Sequence, residues 1–167
     1  MAVVSVPRRH LVRSALGVAA VVGIAATTVL SGTAQAAAGT TYLTNIRTGQ
    51  HATYDRVVLD FSAGVPAYGV TGTSSLEQCA SGKPVSFPNS AEYVELDITS
   101  AAHDDNGNAT YTGPRTVVTN MPSLTGYAVT CDFEGKLKVG IGYKSNVQHV
   151  VTSVLTNPSR IVIDVKR

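Results

Sequence analysis

From residue 37 to the end of the chain, apolar side chains recur at every second position. A period of two is the signature of strands that bury one face and wet the other. Val57, Leu59 and Phe61 share one face. Val94, Leu96 and Ile98 share another, with Tyr93, Glu95 and Asp97 expected on the solvent side. The same alternation runs through 127–133, 137–143, 147–155 and 161–165, and more weakly through 42–47, 68–71 and 116–120. Turn signals separate these runs: Gly64-Val65-Pro66, Gly82-Lys83-Pro84, Asn106-Gly107, Glu134-Gly135 and Asn157-Pro158-Ser159. Many short strands without a long helical period predict an all-β, antiparallel β-sandwich. The one exception expected is a short helical turn near residues 75–80, where Ser74-Ser75-Leu76-Glu77 has capping-box spacing and Gly82 supplies a stop. Gly140 and Gly142, inside a strand, point to close packing.

Residues 1–36 do not share this pattern. Arg8, Arg9 and Arg13 precede an apolar, uncharged run from Ser14 to Leu30, and Ala34-Gln35-Ala36 has the small-x-small form of a cleavage site. The leader reads as a helical signal peptide removed after Ala36, leaving a single domain over 37–167. A retained anchor is the rival reading, but Gly17, Gly23, Thr27 and Thr28 dilute a run already short for spanning a bilayer. Arg8-Arg9 loosely resembles a twin-arginine signal, and the general export route is preferred. Thr33 stands where lipid anchoring would need a cysteine, so no membrane anchor is expected after cleavage. The mature protein is then expected outside the cytoplasm, secreted or associated with the cell wall.

The leader also changes the meaning of the charge. The chain carries 13 Lys and Arg against 11 Asp and Glu. Three of those basic residues lie in the leader and none of the acidic ones do, which leaves the remainder with a slight acidic excess. The basic excess is therefore an export signal, and no nucleic-acid partner is expected. Two cysteines, Cys79 and Cys131, in an oxidising compartment predict one disulfide. Composition also excludes a disordered chain, being 44% hydrophobic and 14% charged.

Two segments repeat one pattern, Arg56-Val57-Val58-Leu59-Asp60-Phe61 and Arg160-Ile161-Val162-Ile163-Asp164-Val165. Arg and Asp four apart on a strand are about 13 Å apart and need partners on a neighbouring strand. Antiparallel and in register, Arg56 would meet Asp164 and Asp60 would meet Arg160. A solvated charged strand face accounts for the pattern equally well.

The segment 46–61, with Thr53-Tyr54-Asp55-Arg56-Val57-Val58-Leu59-Asp60-Phe61 at its heart, resembles the opening of AMIN-like domains of secreted actinobacterial proteins. Gly64-Val65-Pro66-Ala67-Tyr68-Gly69-Val70, Phe133-Glu134-Gly135 and the closing Asn157-Pro158-Ser159-Arg160-Ile161-Val162-Ile163-Asp164-Val165 are similar to its later segments. The resemblance implies a small β-sandwich of the cell envelope that binds peptidoglycan or an envelope protein partner. It assigns no catalytic residue.

Glu95 and Asp97 are about 7 Å apart on one strand, near the carboxylate spacing of inverting glycosidases, but both point the same way. The run His103-Asp104-Asp105-Asn106-Gly107-Asn108 departs from an EF-hand and reads as a hairpin tip. No metal or cofactor is expected. The candidate binding surface comprises Tyr54, Tyr68, Tyr111 and Tyr143, whose rings could stack on sugar, and a lysine group of Lys136, Lys138 and Lys144 that could meet anionic wall polymers. A small secreted hydrolase and a secreted inhibitor or interaction protein are the competing functions.

Overall fold

The phase that carries Val57, Leu59 and Phe61 inward also organises the neighbouring strands, and the result is two sheets closed on one core. The computed structural model describes residues 40–167, and the leader reading falls outside them. Among the described residues the strands are β1 (Leu43–Gln50), β2 (Tyr54–Phe61), β3 (Tyr68–Thr73), β4 (Leu76–Glu77), β5 (Pro84–Val85), β6 (Glu92–Thr99), β7 (Thr116–Val118), β8 (Leu124–Phe133), β9 (Lys136–Tyr143), β10 (His149–Thr156) and β11 (Ser159–Lys166). A four-stranded sheet has the order β1-β2-β11-β10, a five-stranded sheet the order β3-β6-β9-β8-β7, and β4-β5 form a separate ribbon. The strand pairs within each sheet are antiparallel.

The core between the sheets is filled from both inner faces. Val57, Leu59, Ile161 and Ile163 meet Val94, Leu96, Ile98, Val129, Leu137, Val139 and Ile141. Fully burying side chains of this size stabilises by about 1.5–3 kcal/mol each, before the entropy of ordering them is subtracted. One member of the inward phase is not apolar. Asp55 precedes Val57 by two residues and is 0% exposed. Its carboxylate accepts hydrogen bonds from the Ser123 and Leu124 N–H groups at 2.6 and 2.9 Å. Arg167 reaches it at 3.4 Å and also donates to the His51 and Ala52 carbonyls. A buried carboxylate persists only with such partners, so this clasp ties the β1–β2 turn to the start of β8 and to the end of β11.

The expected helical turn near residues 75–80 does not form. Leu76–Glu77 pairs with Pro84–Val85, and the chain reverses between them in a turn where the Gly82 N–H donates to the Gln78 carbonyl. Gly82 closes it with φ +63°, so the stop signal is present but serves a hairpin. The ribbon is pinned by the Cys79–Cys131 disulfide and by the Cys79 N–H bonded to the Thr130 carbonyl at 3.0 Å. It lays Leu76 and Phe87 over the outer face of the five-stranded sheet, against Tyr93 and Ala128. Tyr93 is thus covered and does not face solvent. Gly126, Gly140 and Gly142 make room for this layer. A Cβ on Gly140 would strike Leu76, and one on Gly126 or Gly142 would strike Phe87.

Candidate functional site

The second half of that outer face is left open beside the ribbon and is polar. Ser75, Glu77, Gln78, Cys79 and Gly82 form one wall of a groove of about 430 Å³, and Glu95 and Lys138 form its floor. Glu95 on β6 and Lys138 on β9 both belong to the outward phase. A β-bulge on β8 sets Thr130 and Cys131 together opposite Lys138. The bulge supplies an extra residue, so Cys131 reaches the ribbon while the Thr130 hydroxyl stays within reach of Glu95. Glu95 accepts from the Thr130 hydroxyl at 2.9 Å and from the Lys138 ammonium at 2.9 Å. The hydrogen bond to Glu95 raises the Lys138 pKa above its ordinary value, so the ammonium stays charged at neutral pH. Asp97 and Lys136 extend the charged row at 3.9 Å, both well exposed. The groove therefore offers a fixed carboxylate, a fixed ammonium, a side-chain amide and hydroxyls within one recess.

The remaining sequence candidates do not gather there. Tyr54 lies on the four-stranded sheet, stacked on His51 at 4.3 Å with the Arg56 guanidinium 5.0 Å from its ring centre. Tyr68 packs against the core and its hydroxyl meets Thr152 of β10 at 3.4 Å. Tyr143 is half-buried, and burial, reinforced by a hydrogen bond to Glu92, raises its pKa. Tyr111 is not a surface ring. Its side chain enters the core, its hydroxyl donates to the Pro114 carbonyl at 2.8 Å, and burial raises its pKa strongly. A loop tyrosine near a turn was expected outside, but the loop folds back over the end of the sandwich and its ring fills that end. Of the three lysines, Lys136 and Lys138 share the outer face of β9, and Lys144 lies apart from them. Lys136 and Lys144 flank β9, about 26 Å apart along the strand, and Lys144 donates to the Met121 carbonyl.

The register places Arg56 opposite Asp164 and Asp60 opposite Arg160. Arg56 clasps Asp164 through two bonds of 2.7 and 2.9 Å. Asp60 instead takes Arg47 of β1 at 2.8 and 2.7 Å, while the Arg160 Nε donates to the Pro158 carbonyl. Strand β1 flanks β2 on its other side and brings a competing guanidinium that the repeat itself does not reveal.

A second charged cluster sits at the end of β8. Asp132 accepts from the Ala102 N–H at 2.9 Å and pairs with His103 at 3.2 Å and Arg115 at 3.2 Å. Burial pushes its pKa up, but these partners outweigh burial and hold it below the usual carboxylate value. The neighbouring loop is a turn in which Asp104 accepts from Asn106 and Asn108 and Gly107 takes φ +82°. Among the described residues no group of three His, Cys, Asp or Glu side chains is placed to hold a metal ion. Capping-box spacing around Ser75, Glu77 and Gln78 points to a helical turn and hides the wall they form, and Thr130 reaches Glu95 only through the bulge on β8. The position of Cys79 within that segment was the available signal.

Compared with known proteins, residues 41–167 match the model of the AMIN-like domain family. No curated protein and no solved structure matches the chain.

Proposed function

Because the chain belongs to the AMIN-like domain family, whose members are associated with cell-wall-related binding, we propose that it is exported and acts as an envelope-binding domain that takes a peptidoglycan fragment in the groove beside the disulfide. The observation that carries this reading is Glu95, held between Thr130 and Lys138 on the floor of that groove. Wall polymers present hydroxyls, amides, carboxylates and ammonium groups. A floor with one charged acceptor and one charged donor at fixed positions can pair with each of these without reorganising. The disulfide supports an oxidising compartment outside the cytoplasm.

The same geometry favours binding over hydrolysis. A general acid or base must exchange a proton with substrate. Both oxygens of Glu95 are already engaged, and Asp97 points from the same strand toward Lys136. The two carboxylates do not flank a cleft from opposite sides.

Co-sedimentation of the exported protein with purified sacculi tests the reading. Pelleting without release of soluble fragments is expected, and Lys138→Met should weaken it about tenfold, the effect of losing one charged hydrogen bond. Release of fragments would overturn the binding reading and direct attention to the His103–Asp132 pair. Absence of pelleting would remove the wall as ligand and leave an envelope protein as the partner.

A further inference from the structure

Strand β10 bonds to β11 on one side only, so among the described residues one row of its N–H and C=O groups carries no strand. Its sequence, His149-Val150-Val151-Thr152-Ser153-Val154-Leu155-Thr156, has no Lys, Arg, Asp, Glu, Pro or Gly. Val151, Val154 and Leu155 are 43%, 47% and 43% exposed. Sheet edges are ordinarily blunted by charge, proline, bulges, short length or a covering segment. The edges at β1 and β7 follow that rule. At β1 a register shift falls between Leu43 and Asn45, the Leu43 N–H is taken by the Ala101 carbonyl, and its own carbonyl by the Thr110 hydroxyl. Strand β7 has three residues, and β3 has six, of which Gly69 and Gly72 are two.

The exposed side chains also say what shape of partner fits. Val154 lies opposite Ile161, in the phase that faces the core, yet stays about half exposed. Val70 on β3 is opposite Leu96, faces the core likewise, and is 43% exposed. The contact between Tyr68 and Thr152 shows that β3 and β10 border the same open margin. A single extended peptide added to β10 would leave Val70 uncovered. A second sandwich set edge-on against that margin would cover both sheets at once.

We propose that the protein self-associates through β10, with two copies related by a two-fold axis at Ser153. The antiparallel pairing that this symmetry imposes sets Val151 against Leu155 of the second copy and Ser153 against its own counterpart. On the core side Thr152 meets Val154. Apolar and hydroxyl-bearing β-formers thus oppose one another throughout. The charges behind them are opposite in sign. Asp164 lies beside Val151 and Arg160 beside Leu155, so the joined row runs from Asp164 of one copy to Arg160 of the other, with no like charges adjacent. The four-stranded sheet is doubled, and the groove on the five-stranded sheet is left free, so this inference stands apart from the wall-binding reading.

Sedimentation velocity of the exported protein from micromolar to millimolar concentration tests it. A concentration-dependent dimer is expected. Ser153→Lys, at an exposed position, sets two ammonium groups face to face on the axis and should raise the dimer dissociation constant at least about tenfold with an unchanged far-UV spectrum. Ser153→Cys should be captured as a covalent dimer on mild oxidation. A monomer throughout overturns the proposal and assigns the edge to a different partner. A dimer that Ser153→Lys does not weaken and Ser153→Cys does not trap overturns it equally.

Discussion

On β2 of the four-stranded sheet buried residues alternate with half-buried ones, whereas on β8 of the five-stranded sheet seven successive residues, Leu124 to Thr130, are buried. The strands are similar in period and differ in what lies outside them. The outer face of the four-stranded sheet has no covering layer among the described residues, so its charges satisfy one another laterally, Arg56 with Asp164 and Arg47 with Asp60. The outer face of the five-stranded sheet is recessed at Gly126, Gly140 and Gly142, and the ribbon of β4 and β5 fills the recess with Leu76 and Phe87. One sandwich thus has a two-layer half and a three-layer half. The groove occurs where the third layer stops, because that step leaves polar residues of the sheet beside a wall.

The largest test of this difference is Phe87→Ala. Truncating a buried aromatic costs about 3–5 kcal/mol in a core. The same cost is expected here although Phe87 lies outside the main core, and hydrogen exchange should show β8 and β9 losing protection while β2 and β11 keep theirs. Uniform loss across both sheets would mean that the ribbon is not a separate layer. Gly140→Ala is next. Its Cβ would strike Leu76, so overpacking of about 1–3 kcal/mol is expected, with the midpoint of denaturant unfolding as the measure. Gly49→Ala on the other outer face meets only ordinary contact and should be neutral or stabilising by a few tenths.

Ion pairs sharpen the comparison further. Side-chain exposure is 34% and 15% for Arg56 and Asp164, and 33% and 21% for Lys138 and Glu95. Double-mutant cycles should therefore return alike couplings of about 0.5–1 kcal/mol. A much larger value for Lys138 with Glu95 would show that the ribbon excludes water from the groove. The smallest effect is one of pH. Asp132 has a folded-state pKa below its unfolded value, so its contribution is complete above the unfolded value of about 4 and is lost as pH falls through the folded one. Asp132→Asn should flatten that acid loss in thermal melts, and the two proteins should converge in acid.

The strands of the core were legible because alternation is local. The turns at Asn106-Gly107 and Glu134-Gly135 were legible for the same reason, and Gly107, Glu134 and Gly135 take the positive φ that such turns require. Asp55 was in view within the inward phase, but nothing nearby named its partners, which come from residues 123, 124 and 167. The repeat foretold the register of β2 with β11 and the Arg56–Asp164 pair, yet not the capture of Asp60 by Arg47. The candidate surface fared least well, since exposure of a ring depends on segments remote in sequence.

The sequence by itself determined the all-β class, the inward phase of each main strand and the residues able to form a disulfide, because period, turn chemistry and residue type act within a few positions. Only the tertiary structure decided that Leu76 and Phe87 form a third layer, that Tyr93 and Tyr111 are inside, and that Glu95 ends between Thr130 and Lys138. Those outcomes depend on which strands become neighbours, and that is settled by packing both faces of two sheets at once.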